Sequence, residues 1–191
     1  TRRVDLPIVD WEPPEPPEPP EPPVAGVVYV GDSSYLIYKF TADGTFLHTI
    51  GDGHFDGDVG GLACDSSGNI YGADSYDHRV LKFSPNGELL LAIGEPGSGP
   101  GEFDWPFDMA TDRADNLYVL DLHNKRVQKF DSDGNYLLQW TREGFSSGSK
   151  NTMTGICSDK EDNVYVLCYR HAASFARVYK FNSSGVFISE F

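Results

Sequence analysis

The chain has 191 residues and a mass of 21.1 kDa, enough for one domain with a short appendage. Its 15 Lys and Arg stand against 29 Asp and Glu, a formal charge of −14. Such a balance argues against binding a nucleic-acid backbone, which needs clustered cations, and against docking on anionic lipid. No apolar run approaches the roughly 18 residues of a spanning helix, so membrane insertion is not expected either.

The chain opens at Thr1 with neither an initiator Met nor an apolar leader, which reads as a trimmed product whose export signal, if any, has gone. Residues 1–11, TRRVDLPIVDW, hold Val4, Leu6, Ile8 and Val9 and close on Trp11. They are apolar enough to pair as a short strand but have no core of their own. Glu-Pro-Pro then repeats four times over residues 12–23, and nine of the 13 prolines lie in the first 23 residues. Adjacent prolines cannot donate backbone hydrogen bonds, so neither helix nor inner strand forms there. A semi-rigid polyproline II spacer of roughly 37 Å is expected.

From residue 24 onward the composition changes and the sequence repeats itself. Four segments align: VVYVGDSSYLIYKFTADGTFLHTIG, NIYGADSYDHRVLKFSPNGELLLAIG, NLYVLDLHNKRVQKFDSDGNYLLQW and NVYVLCYRHAASFARVYKFNSSGVFISEF. Their Lys-Phe pairs end at Phe40, Phe83, Phe130 and Phe181, each followed four residues later by Gly44, Gly87, Gly134 or Gly185. Period-two apolar alternation broken by Asp, Asn, Gly and Ser is strand and hairpin patterning. Repeated at about 45 residues it gives a four-strand propeller blade. The blades fall at approximately 24–50, 61–94, 106–140 and 154–191. Cys64, Cys157 and Cys168 make no disulfide framework. Three small buried side chains is the simplest reading, with one bridge and a free thiol as the alternative.

These motifs resemble the NHL-repeat family of β-propellers. Gly94–Asp112, GEPGSGPGEFDWPFDMATD, resembles the family's interblade loop entering an inner strand. Around it recur Asn-apolar-Tyr-x-x-Asp, Arg-Val-x-Lys-Phe and Asp-Gly. The resemblance covers residues 24–191. It implies an all-β chain whose blades have four antiparallel strands arranged inner to outer around an axis. It implies no single activity. A closed four-blade ring is expected, with two chains sharing a larger ring as the alternative.

Blades two to four each open with an inner strand, at Gly61–Asp65, Asp108–Asp112 and Gly155–Asp159. Asp65, Asp112 and Asp159 stand four residues before Asn69, Asn116 and Asn163, and nine before Asp74, Asp121 and Cys168. Asp32 is blade one's counterpart of that last site, and nine residues before it lies Pro23, where no inner strand can form. Fifteen strands are therefore expected where four full blades need sixteen. Leu6–Asp10, LPIVD, resembles a degenerate inner strand ending in the same Asp. Its stiff spacer makes a poor hairpin loop and a good bridge to another molecule. The expectation is strand donation: Val4, Leu6, Ile8, Val9 and Trp11 of one copy fill the edge of blade one of its neighbour, at Val28, Tyr29, Val30 and Asp32. Such a contact is head-to-tail and builds a filament unless it closes. The alternatives are an arm that merely tethers, with the missing strand elsewhere, and insertion into its own chain.

Other chemistry is thinly represented. His48, His54, His78, His123 and His171 include no HxH or HExxH pair, and His78 and His123 occupy near-equivalent blade positions before the Arg-Val strand, which reads as a feature of the repeat. Some NHL-like propellers are zinc lyases, which the resemblance admits as a remote alternative. Asp52–Asp58, DGHFDGD, looks slightly like a calcium loop, but position twelve is Ala63 instead of Glu; casual calcium binding is the only cofactor expectation. Asp74 with Arg79 and Asp121 with Arg126 recur at one spacing, as in-blade or interblade ion pairs. No nucleophile elbow or P-loop is present. Asn182-Ser-Ser is an N-glycosylation sequence on a turn. The sequence thus reads as a non-enzymatic, self-assembling structural protein, extracellular or on the cell surface, with itself and glycans as partners. A ligand-binding propeller on a proline-rich tether is the main alternative.

Overall fold

The computed structural model describes residues 26–142, 145, 151–170 and 175–191; the arm and spacer of residues 1–23 lie outside them. Fifteen strands form four antiparallel sheets, and the described residues contain no helix. Blade one is β1 (Val27–Gly31), β2 (Ile37–Thr41) and β3 (Phe46–Ile50). Blade two is β4 (Val59–Cys64), β5 (Ile70–Asp74), β6 (Arg79–Phe83) and β7 (Leu89–Ile93). Blade three is β8 (Pro106–Thr111), β9 (Leu117–Asp121), β10 (Arg126–Phe130) and β11 (Tyr136–Trp140). Blade four is β12 (Asn151–Ser158), β13 (Val164–Arg170), β14 (Phe175–Phe181) and β15 (Phe187–Glu190). In each sheet neighbours in sequence are neighbours in space.

All three inner strands start earlier than the sequence suggested, at Val59, Pro106 and Asn151 instead of Gly61, Asp108 and Gly155. The reason is a register shift inside the inner strands, between Val59 and Leu62, Pro106 and Met109, and Met153 and Gly155. The extra residue bends each strand and hides its first half from a period-two reading. A second shift recurs at every Lys-Phe pair, before the turn glycine. Gly44, Gly87, Gly134 and Gly185 take positive φ of 87°, 91°, 83° and 76°, the left-handed conformation that glycine adopts without a Cβ penalty.

The hydrophobic interior is divided between blades. One cluster joins Ile37 and Ile50 of blade one to Phe55, Val59, Ile70, Leu81 and Phe83. A second joins Tyr71, Ala73, Val80 and Ile93 of blade two to Phe103, Met109, Leu117, Val119 and Phe130. The third joins Tyr118, Leu120 and Val127 of blade three to Met153, Val164, Val166, Tyr179 and Phe181. Alternate residues of one strand thus face opposite neighbours, so β5 and β9 are buried throughout. Stability is shared among nearest-neighbour interfaces, as in other repeat architectures.

The inner strands pack in the order β1, β4, β8, β12. Among the described residues no contact of that extent joins blade four to blade one. Among the described residues the packing is an arc open on two flanks, and the closed four-blade ring expected from the sequence is not formed between them.

Candidate functional site

Each blade carries a lysine clamp. In blade two, Lys82 Nζ lies 3.1 Å from Asp65 Oδ2, 4.9 Å from the centre of the Tyr71 ring, and donates to the Ser132 carbonyl of blade three at 3.1 Å. In blade three, Lys129 meets Asp112 at 3.4 Å, the Tyr118 ring at 4.9 Å and the Ser183 carbonyl of blade four at 3.2 Å. The aspartate is held by its own turn: Asn116 donates to Asp112 from backbone and side chain, and the Tyr118 hydroxyl donates at 2.8 Å. Burial works upward on the Asp112 carboxyl, but these bonds and Lys129 bring it below its ordinary range.

The clamp changes at both ends of the arc. In blade four, Lys180 has Asp159 at 3.7 Å and the Tyr165 ring at 5.1 Å, with no carbonyl beyond it among the described residues. In blade one, Lys39 has the Pro85 carbonyl at 2.7 Å and the Tyr29 ring at 5.8 Å, with no carboxylate among the described residues. The Tyr29 hydroxyl is enclosed and unpartnered. The Tyr71 hydroxyl is too, so the decisive difference is the absent carboxylate.

The sequence placed the acceptor on this edge. β1 is the innermost strand of a three-stranded sheet, so its inner edge is unpaired among the described residues, while just beyond it the Asp32 carbonyl accepts from the Val59 amide of blade two at 3.3 Å. Val28 and Val30 are about half exposed, at 49% and 46%, while their counterparts in β5 and β9 are buried. Tyr29 is partly buried against blade two. The Asp32 carboxylate accepts from the Ser34 amide and hydroxyl at 2.8 and 2.6 Å; the Ser34 hydroxyl holds it below its ordinary range. The five donor residues, Val4, Leu6, Ile8, Val9 and Trp11, lie outside the described residues.

The two aspartate–arginine pairs form within their blades, Asp74 with Arg79 at 3.0 Å and Asp121 with Arg126 at 2.7 Å. Arg126 also donates to the Ser98, Gly99 and Glu102 carbonyls, pinning the loop that enters blade three. His78 and His123 lie two places apart in the repeat. His78 shares its place and its positive φ with Lys125, and both histidines converge on Asp104, at 3.6 and 3.2 Å. The Trp105 amide donates to His78 Nδ1 at 3.1 Å, making that atom an acceptor. Among the described residues no group of three or more His, Cys, Asp or Glu is placed to hold a metal ion. The three cysteines are free. Only Cys168 is buried, its thiol pushed up to about 12 by that burial; Cys64 and Cys157 are exposed because they lie on the inner strands beside the axis. Asn182 Oδ1 accepts from the Ser184 and Val186 amides in its turn.

The sequence reading missed the lysine clamp. Its signal was present, since Asp65 to Lys82 and Asp112 to Lys129 share one spacing, but the arginine pairs took the attention.

Sheets packed face to face through alternating side chains, each with its inner strand beside a common axis, define a β-propeller. The chain belongs to the family designated DUF5128 and described as a 6-bladed beta-propeller, whose pattern matches residues 59–186. No curated protein matches the chain. Among solved structures, catalytically inactive virginiamycin B lyase from Staphylococcus aureus with quinupristin is similar at TM-score 0.67 and 15% identity, over 88% of this chain and 52% of that one. Selenomethionine-substituted virginiamycin B lyase from Staphylococcus aureus gives 0.62 at 16% identity, over 91% and 57%. The RRP9 WD40 repeats give 0.61 at 16% identity, over 86% and 46%. The chain thus spans about half the length of the structures it matches. Among its described residues no helix is long and apolar enough to cross a membrane.

Proposed function

We propose that the protein is a structural assembly module whose incomplete first blade takes a strand from the N-terminal arm of another copy, linking copies head-to-tail. The observation that carries this reading is the unpaired inner edge of β1 beside Lys39, a lysine without the carboxylate its sister lysines have. The arm sequence supplies what is missing. Asp10 ends LPIVD as Asp65, Asp112 and Asp159 end the other inner strands. Trp11 follows Asp10 directly, in the place of Ser66, Arg113 and Lys160, and closes the donated strand where the spacer begins. Backbone pairing supplies affinity and the alternate side chains supply register.

In this reading the blades are NHL-like repeats, the protein catalyses no reaction, and it works outside the cell or at its surface, needing no metal. Its partner is itself, and Asn182 is a glycan acceptor on an exposed turn. The test is light scattering of the full chain across a concentration series, with a synthetic peptide of residues 1–11 added. Concentration-dependent polymers that the peptide caps are expected. The same peptide carrying Asp10→Lys should cap at least about tenfold less well, since a charge-assisted bond is lost. Polymers indifferent to the peptide, or monomers at every concentration, would sink the reading.

A further inference from the structure

The described residues make one interblade contact three times, and the first and fourth blades each carry a half of it that no described residue meets. In every internal copy a lysine reaches the carbonyl two residues before the next blade's turn glycine: Lys39 to Pro85, Lys82 to Ser132, Lys129 to Ser183. Beside it, the last residue of the outer strand or bridge faces that turn. A Cβ built on Gly87 would lie 3.4 Å from Ile50, one on Gly134 3.0 Å from Ile93, and one on Gly185 2.7 Å from Trp140.

The fourth copy of this contact has no other half among the described residues. Lys180 occupies the lysine position and has no such carbonyl among the described residues. Phe191 occupies the position of Ile50, Ile93 and Trp140, exchanging both backbone hydrogen bonds with Val178, yet is 73% exposed. At the opposite end of the arc, Gly44 is the turn glycine that no outer strand covers: nothing lies within 4 Å of a Cβ there. The carbonyl at the matching position, two residues before Gly44, is that of Ala42. Val28 and Val30 line the same flank.

We infer that the blade-four flank of one copy docks on the blade-one flank of a second copy, with Phe191 seated on the Ala42–Gly44 turn and Lys180 Nζ donating to the Ala42 carbonyl. The partner is a second copy because both halves belong to this chain and the three internal interfaces are the pattern for the fourth. This contact uses no residue of the N-terminal arm, so it stands apart from strand donation. It is heterologous, building a ring or an open chain according to the rotation per copy.

The experiment uses the full chain throughout, followed by sedimentation velocity in the presence of excess residue 1–11 peptide, which removes arm-mediated links. Phe191→Asp and Ala42→Arg each damage one flank at an exposed site and leave the other flank intact. Each variant alone should associate at least about tenfold more weakly than the parent chain. An equimolar mixture of the two should regain association and stop at pairs, since one intact blade-four flank meets one intact blade-one flank. Near-ultraviolet circular dichroism checks that both variants keep their packing. A mixture that remains monomeric while the parent associates overturns the inference. So does a parent chain that remains monomeric up to about 1 mM with peptide present, whether its own blades or further blades cover the flanks.

Discussion

Lys129 shows why a buried lysine belongs in a propeller blade. A cation so enclosed is tolerable only when its charge and its protons are all met, and here a carboxylate, an aromatic face and a carbonyl of the next blade meet them. Lys180 has the same carboxylate and ring in a wetter setting; its side chain is 24% exposed against 10% for Lys129. Lys129→Met should therefore cost about 2–3 kcal/mol, at the lower edge for a broken buried pair because Asp112 keeps its other donors. Lys180→Met should cost under about 1 kcal/mol. Urea unfolding of both variants measures the ranking, and equal losses would show that the interblade carbonyl contributes nothing.

Asp108 makes the second residue-scale case. It sits between the inner strands, accepting the Met109 amide at 2.9 Å and the Ile156 amide of blade four at 3.0 Å. Burial raises its carboxyl above the ordinary range in spite of both bonds. A carboxyl raised on folding contributes stability that is fully present below its unfolded value and is lost as pH rises through its folded value. Asp108→Asn escapes that loss. Its stability relative to the parent chain should improve as pH rises from about 4 to about 7, read as midpoint differences in urea. A difference independent of pH would assign Asp108 a purely geometric role.

At the scale of the element, the outer hairpin repeats one device, a bulge at Lys-Phe followed by a left-handed glycine. The four glycines differ in what lies over them. Gly44→Ala meets only the backbone penalty of a left-handed alanine, about 1 kcal/mol. Gly134→Ala adds a Cβ 2.8 Å from Leu91 and 3.0 Å from Ile93, so a loss of about 2–4 kcal/mol is expected by thermal or urea unfolding. The hairpins themselves were legible in the sequence because Lys-Phe, the glycine and the alternation recur in order. The beginnings of the inner strands were not. A bulge breaks the period of two that marks a strand, so the residues before it, from Val59, Pro106 and Asn151, fall out of the pattern. Asp104 shows a different limit: it gathers His78 and His123 from adjacent blades, and no spacing within one repeat announces a meeting between two.

At the scale of the whole molecule, repeats disclosed the blades, and the fifteen strands counted from the sequence are the fifteen found among the described residues, the first sheet having three. Closure was not legible. Whether four blades meet depends on a small rotation per blade that no residue pattern encodes, and among the described residues blade one and blade four do not pack together. Charge then governs how open flanks behave in solution. Copies carrying −14 repel one another over the Debye length. The proposed flank contact joins an aromatic ring to a glycine turn and a lysine to a neutral carbonyl, with no opposite charges to be screened. Salt should therefore strengthen association: raising ionic strength from about 0.01 M to about 0.15 M shortens the Debye length from about 30 Å to about 8 Å and removes most of the repulsion, while apolar burial persists. Sedimentation velocity at the two ionic strengths, peptide present, should show the larger species growing with salt. The opposite trend would mean that copies meet through ion pairs, and would move the interface to a surface where lysine or arginine of one copy faces carboxylates of the next.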